Sequence, residues 1–122
     1  MKYVDLYGKD LITTQGWEKE ELDAVLEVAK DLKAQRYAGS LPELLKQKTF
    51  FALFYYPSTR TRASFEAAAT LLGGHAQYIE ASTTRLIHGE AIKDVARVFS
   101  RYGNGIGIRI GTELEIFPYG RA

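Results

Sequence analysis

The sequence has no cysteine in its 122 residues, so it can build neither a disulfide framework nor a thiolate metal site. It has only two histidines, and its acids are spread along helical stretches, which leaves no metal-ligand spacing. An excess of one charge is also missing. Sixteen Lys and Arg against fifteen Asp and Glu give a net +1, far from the basic excess that sequence-independent nucleic-acid binding needs. Any anion site must therefore be local. No stretch approaches the roughly eighteen consecutive apolar residues of a membrane span, and Met1-Lys2-Tyr3-Val4-Asp5 lacks the apolar run of a signal peptide. The default expectation is a cytoplasmic protein with neither membrane nor nucleic acid as partner.

The remaining composition is that of an ordinary folded domain, 46% apolar and 25% charged. Residues 17–36 place Leu22, Val25, Leu26, Ala29 and Leu32 at helical spacing, with Glu18, Glu20 and Glu21 in the first turn, and predict a helix. A short helical turn is expected at 43–46. Residues 49–55 are continuously apolar and rich in aromatics, as in a strand buried on both faces. Pro57 and Ser58 end that strand, and Phe65, Ala68, Ala69 and Leu72 return to helical spacing until Gly73-Gly74 stops it. A second strand at 75–79, a polar loop at 80–89, a helix at 90–102 and a third strand at 106–110 complete the pattern. Strands alternating with helices predict an α/β fold: a three-layer parallel sheet with helices on both faces. Residues 111–122 do not complete a further unit, so the chain reads as an apparently incomplete domain.

Ligands of open parallel sheets bind beyond the carboxyl ends of the strands. Ser58 sits there at an N-cap position, and Thr59, Arg60 and Thr61 follow with unpaired backbone N–H groups at the positive end of a helix dipole. Such a turn suits a phosphate. Arg60 and Arg62 are two apart and point to different sides of the helix, so one of them, Arg60, is assigned to the ligand. The plainer reading is that Ser58 only caps the helix and the arginines pair with acids, Arg62 with Glu66 four residues on. Arg109 is a charge in an apolar, glycine-rich strand, which favours an anion contact at the strand end, although a strand-end arginine can also reach solvent. Ser82, Thr83, Thr84, Arg85 and His88 read as a solvated loop. His75 starts a strand on the opposite edge and reads as structural. Gly103, Gly105 and Gly107 precede a strand instead of following one, so they are not a dinucleotide fingerprint.

The segment Phe54-Tyr55-Tyr56-Pro57-Ser58-Thr59-Arg60-Thr61-Arg62-Ala63-Ser64-Phe65-Glu66 closely resembles the S-T-R-T-R signature of the aspartate and ornithine carbamoyltransferases. Leu72-Gly73-Gly74-His75, Gly89-Glu90 and the strand ending in Arg109 follow in that family's order. The resemblance implies that Ser58, Thr59, Arg60, Thr61 and Arg109 bind carbamoyl phosphate, with Arg60, Thr61 and Arg109 catalytic and Arg62 structural. It implies a homotrimer in which Thr84, Arg85 and His88 reach a neighbouring subunit's site, and no metal or cofactor. His88 before Gly89-Glu90 points to ornithine as the amino-acid acceptor, giving citrulline and phosphate in arginine biosynthesis. Tyr55-Tyr56 in place of Glu-Lys, and Arg85 in place of glutamine, leave aspartate or another amine open. The family's His-Pro-x-Gln segment and amino-acid-binding second domain have no counterpart in these residues, so this chain alone is expected to bind without turnover, and a stand-alone phosphate-binding module is the alternative. Arg60→Ala should weaken phosphate-end binding by about ten- to a hundred-fold, from the range for charged hydrogen bonds; unchanged affinity by calorimetry removes Arg60 from the site.

Overall fold

The computed structural model describes residues 3–84, 89 and 91–110. The chain divides into two compact units, Met1–Leu41 and Pro42–Ala122. In the first, α1 spans Lys19–Tyr37. Glu21 accepts a hydrogen bond from the backbone N–H of Glu18 at 3.2 Å and pairs with Lys9, so the acidic first turn closes the helix start. At the other end Gly39 takes φ 72°, and the Ser40 N–H reaches back to the Gln35 carbonyl at 2.9 Å.

The second unit is built on β1 (Thr49–Phe54), β2 (His75–Glu80) and β3 (Gly105–Arg109), joined through helices α2 (Thr59–Leu71) and α3 (Ile92–Tyr102). The strand order is β2-β1-β3, with β1 parallel to both neighbours. A central strand flanked and covered in this way loses its water on every side, and the core follows: Phe51, Ala52, Leu53 and Phe54 are buried, joined by Ala69 of α2 and by Ala81. The continuous apolar run at 49–55 had that meaning. The expected helical turn at 43–46 does not form; a hydrogen-bonded turn at 44–47 takes its place, with Gln47 at φ 61°, outside helical geometry.

Alternation along β1 sends neighbouring side chains to opposite faces. Phe50 stacks on Phe65 of α2 with ring centroids 5.3 Å apart, and Phe51 stacks on Phe99 of α3 at 4.7 Å. The sheet therefore carries a helix on each face, as the alternating sequence pattern predicted. The glycines before and within β3 make room for these rings. A Cβ on Gly107 would meet the Phe50 ring at 2.8 Å, and one on Gly103 would meet the Phe51 ring at 2.3 Å. That steric need accounts for the spaced glycines. The α3 stripe is only partly used, since Val95 and Phe99 are half-buried while Ile92 is exposed.

Gly103→Ala should destabilise the domain by about 1–3 kcal/mol, the usual cost of overpacking. At Gly105, where the nearest Phe50 atom is 3.3 Å from the new Cβ, the same change should cost less. Denaturant midpoints of the two variants check the order; equal midpoints contradict it.

Candidate anion-binding site

Register fixes which residues share the carboxyl edge of the sheet. Phe54, the last residue of β1, stands opposite Glu80 on β2 and Arg109 on β3. Strand parity then places Arg109 on the same face as Gly105, Gly107 and Phe50, which is the face that α2 covers. Helix α2 starts directly after the β1 edge turn, so its first residues lie within reach. The contact is made: Arg109 Nη1 donates to Thr61 Oγ1 at 2.7 Å, joining residues 48 apart in sequence. The Arg109 carbonyl also accepts the Tyr55 N–H at 3.0 Å, which extends the β1–β3 ladder one residue into the turn.

At the start of α2, Ser58 occupies the N-cap in extended conformation (φ −153°, ψ 120°), but its side chain makes no capping hydrogen bond. The sequence reading expected a cap position there, and the position is right. Its hydroxyl, however, is not spent on the helix backbone. The first backbone N–H groups of an α-helix have no intrahelical acceptor, and they carry the positive end of the dipole. Arg60 is exposed and forms no ion pair among the described residues. Thr61 is half-buried and held by Arg109. The described contact is the one between Arg109 and Thr61, at the start of a helix whose N-cap and first turn also carry Ser58, Thr59 and Arg60; residue types of this kind at a helix start suit a tetrahedral oxyanion.

Arg62 does something different. Its Nε donates to Glu66 Oε2 at 3.3 Å, and its guanidinium carbon lies 3.5 Å from the centroid of the Tyr78 ring. Of the two arginines, Arg62 is the one tied into the scaffold. Thr84 is half-buried beyond the short 3-10 turn Ala81–Thr83, and its hydroxyl donates to the Ala81 carbonyl at 2.7 Å. Arg85 and His88 lie outside the described residues. His75 begins β2 at the opposite edge, exposed, its N–H bonded to the Lys48 carbonyl at 3.0 Å. Among the described residues no group of His, Asp or Glu could hold a metal ion, and no helix is long and apolar enough to cross a membrane.

The arrangement has the residues and order of the signature noted in the sequence. A family model described as the carbamoyl-phosphate-binding domain of aspartate/ornithine carbamoyltransferase matches residues 9–118. The chain belongs to this family. Ornithine carbamoyltransferase of Pyrococcus abyssi is 47% identical over 113 residues, covering 93% of this chain and 36% of that protein. Putrescine carbamoyltransferase of Mycoplasma capricolum is 46% identical over 101 residues, 83% of this chain and 28% of that protein. The solved ornithine carbamoyltransferase of Pyrococcus furiosus superposes with a TM-score of 0.85 at 42% identity, covering 97% of this chain and 38% of that one. The chain thus spans between 28% and 38% of the length of these carbamoyltransferases.

Sequence reasoning did not single out Tyr78 or Glu80. Both line a cleft of about 110 Å3 beyond the ends of β1 and β2, with Phe54, Tyr55, Tyr56, Pro57 and Ser82. Tyr78 sits opposite Ala52, on the α2 face by parity, and that alternation was the available signal. Its hydroxyl donates to Glu80 Oε1 at 3.3 Å. Burial pushes the Tyr78 phenol above its ordinary value, and the Glu80 carboxylate adds to the rise. A raised folded-state pKa contributes stability that is complete below the unfolded value near 10 and is lost as pH rises through the folded value. With eight tyrosines in the chain, the group is isolated by difference. The alkaline absorbance titration of wild type minus Tyr78→Phe should show one phenol ionising above pH 10. Ionisation at or below that pH contradicts the assignment.

Proposed function

We propose that the edge formed by Ser58, Thr59, Arg60, Thr61 and Arg109 binds carbamoyl phosphate for transfer of its carbamoyl group to the amine of ornithine, giving citrulline and phosphate. The observation that carries this reading is the hydrogen bond from Arg109 to Thr61, which brings a strand-end cation onto an open helix N-terminus. Family membership supplies the substrate class, and the ornithine enzymes among the relatives supply the acceptor. The putrescine relative keeps a second amine in view as an outcome of the test.

In this reading the phosphate lies against the α2 N-terminus, held by the backbone N–H groups, Ser58, Thr59 and Arg60. Arg109 spans the phosphate and the carbonyl oxygen, and Thr61 donates to that oxygen from the other side. A neutral amine attacks the carbonyl carbon. The new C–N bond forms as the carbonyl becomes an oxyanion, and collapse of the tetrahedral intermediate breaks the bond between the carbonyl carbon and the bridging phosphate oxygen. Phosphate leaves with the electron pair and takes up the proton that the amine nitrogen gives up. The protein contributes alignment and donors fixed in advance where charge develops. The bond from Arg109 to Thr61 holds the two donors together at the edge where the oxyanion would form.

The same reading makes the protein a cytoplasmic homotrimer of arginine biosynthesis, with Thr84, Arg85 and His88 offered to the neighbouring subunit's site. Carbamoyl-phosphate-dependent citrulline formation by the protein as its host expresses it tests the proposal. Turnover with putrescine or aspartate but not ornithine replaces the acceptor, and absence of carbamoyl-phosphate binding overturns the function. Arg109→Ala should raise the Kd for carbamoyl phosphate by about ten- to a hundred-fold, the range for a lost charged hydrogen bond; an unchanged Kd removes Arg109 from the site.

A further inference from the structure

The first turn of α2 lacks the devices that usually hold a helix start. The Ser58 side chain makes no capping hydrogen bond, and the turn has no acidic residue. It carries two arginines instead, Arg60 and Arg62, at the end of the helix where cations are unfavourable. An anion site needs this openness, since a cap or an acid would occupy the same N–H groups. Something else must keep the turn in place when no anion is bound.

Contacts across the sheet provide it. Arg62 is held between Glu66, one turn along its own helix, and the face of Tyr78 on β2, 3.5 Å from guanidinium carbon to ring centroid. Tyr78 in turn meets Phe54 edge-on, with centroids 5.3 Å apart and planes at 67°. Phe54 is buried at the end of β1, in register with Arg109. A continuous path therefore runs from the first turn of α2 through Arg62, Tyr78 and Phe54 to the strand position beside Arg109. The Arg62–Glu66 pair alone is a half-exposed contact within one helix and fixes nothing relative to the sheet. The Tyr78 ring joins the Arg62 side of this turn to β2, beside the Arg109–Thr61 bond to β3 and the Phe50–Phe65 stack further along the helix.

We infer that Tyr78 is a positioning residue: its ring, through Arg62, holds the first turn of α2 at the sheet edge, so that Thr61 and the turn's N–H groups stay aligned with Arg109. The inference rests on the anion-site reading for its consequence in binding, but its structural part stands without ligand. The phenol hydroxyl is secondary, because the face and edge of the ring make the contacts.

The test uses Tyr78→Leu, which removes the ring, and Tyr78→Phe, which keeps it. Amides of residues 62–65 bond to carbonyls of the first turn, so their hydrogen exchange reports on that turn directly. In ligand-free Tyr78→Leu their exchange should rise by about three- to thirty-fold, the range of a cation–π contact, while β1 amides keep their rates. Tyr78→Phe should restore them. The Kd for carbamoyl phosphate should rise by the same factor in Tyr78→Leu and return in Tyr78→Phe. Unchanged exchange at 62–65, or an equal rise throughout β1, overturns the inference, the latter showing a general stability role. Failure of the wild-type chain to bind carbamoyl phosphate overturns the function reading, and the exchange comparison then still decides the role of Tyr78.

Discussion

Parallel pairing of β1 with a strand on each side is the constraint from which the site follows. In a parallel sheet all carboxyl ends lie on one edge, so the turn after β1, the short 3-10 turn after β2 and the end of β3 are neighbours without any further device. Register then decides which residues meet. Phe54 brings Glu80 and Arg109 to either side of itself. The α2 helix, leaving the edge immediately after β1, aims its N-terminus at the same place. A one-residue slip of β3 would turn Arg109 to the face covered by α3 and separate it from Thr61.

Packing of β1 on both faces keeps that register. Phe51, Leu53 and Phe54 are almost fully removed from water, and a slip would break the Phe50–Phe65 and Phe51–Phe99 stacks and set side chains against a face packed for others, at the cost of overpacking and voids. The glycines of β3 contribute by absence: Phe50 lies over Gly105 and Gly107, and its ring meets Phe65 because no Cβ intervenes. The packing that fixes the strands therefore also fixes the helix whose N-terminus forms the site. Stability and the geometry of the candidate site rest on the same contacts.

The two arginines of the signature show how a short motif divides its work. Arg60 is exposed at the open turn, whereas Arg62 is tied to Glu66 and Tyr78. Of the readings weighed from the sequence, the ion pair with Glu66 is found at Arg62, while the Ser58 side chain makes no capping bond. An anion site made from a helix start cannot also be capped, and the cost of two cations in that turn is offset by contacts to the sheet. In the proposed reaction the alignment of Thr61 with Arg109 is what matters, and the scaffold residues around it act through that alignment.

The sequence by itself determined the strand–helix alternation, the burial of β1, the start of α2 at Ser58 and the assignment of Arg62 to Glu66. Each of these depends on residues within one element or one helical turn, where periodicity and i,i+4 spacing are sufficient. It left Arg109 open between solvent and ligand, overlooked Tyr78, and placed a helical turn at 43–46 where the chain makes a tighter turn with Gln47 at positive φ. Only the tertiary structure gives Arg109 its partner Thr61, shows the Tyr78 contacts and sets the turn. The meeting of Arg109 with Thr61 and of Tyr78 with Arg62 depends on strand order and register, which arise from long-range pairing and leave no mark in local spacing.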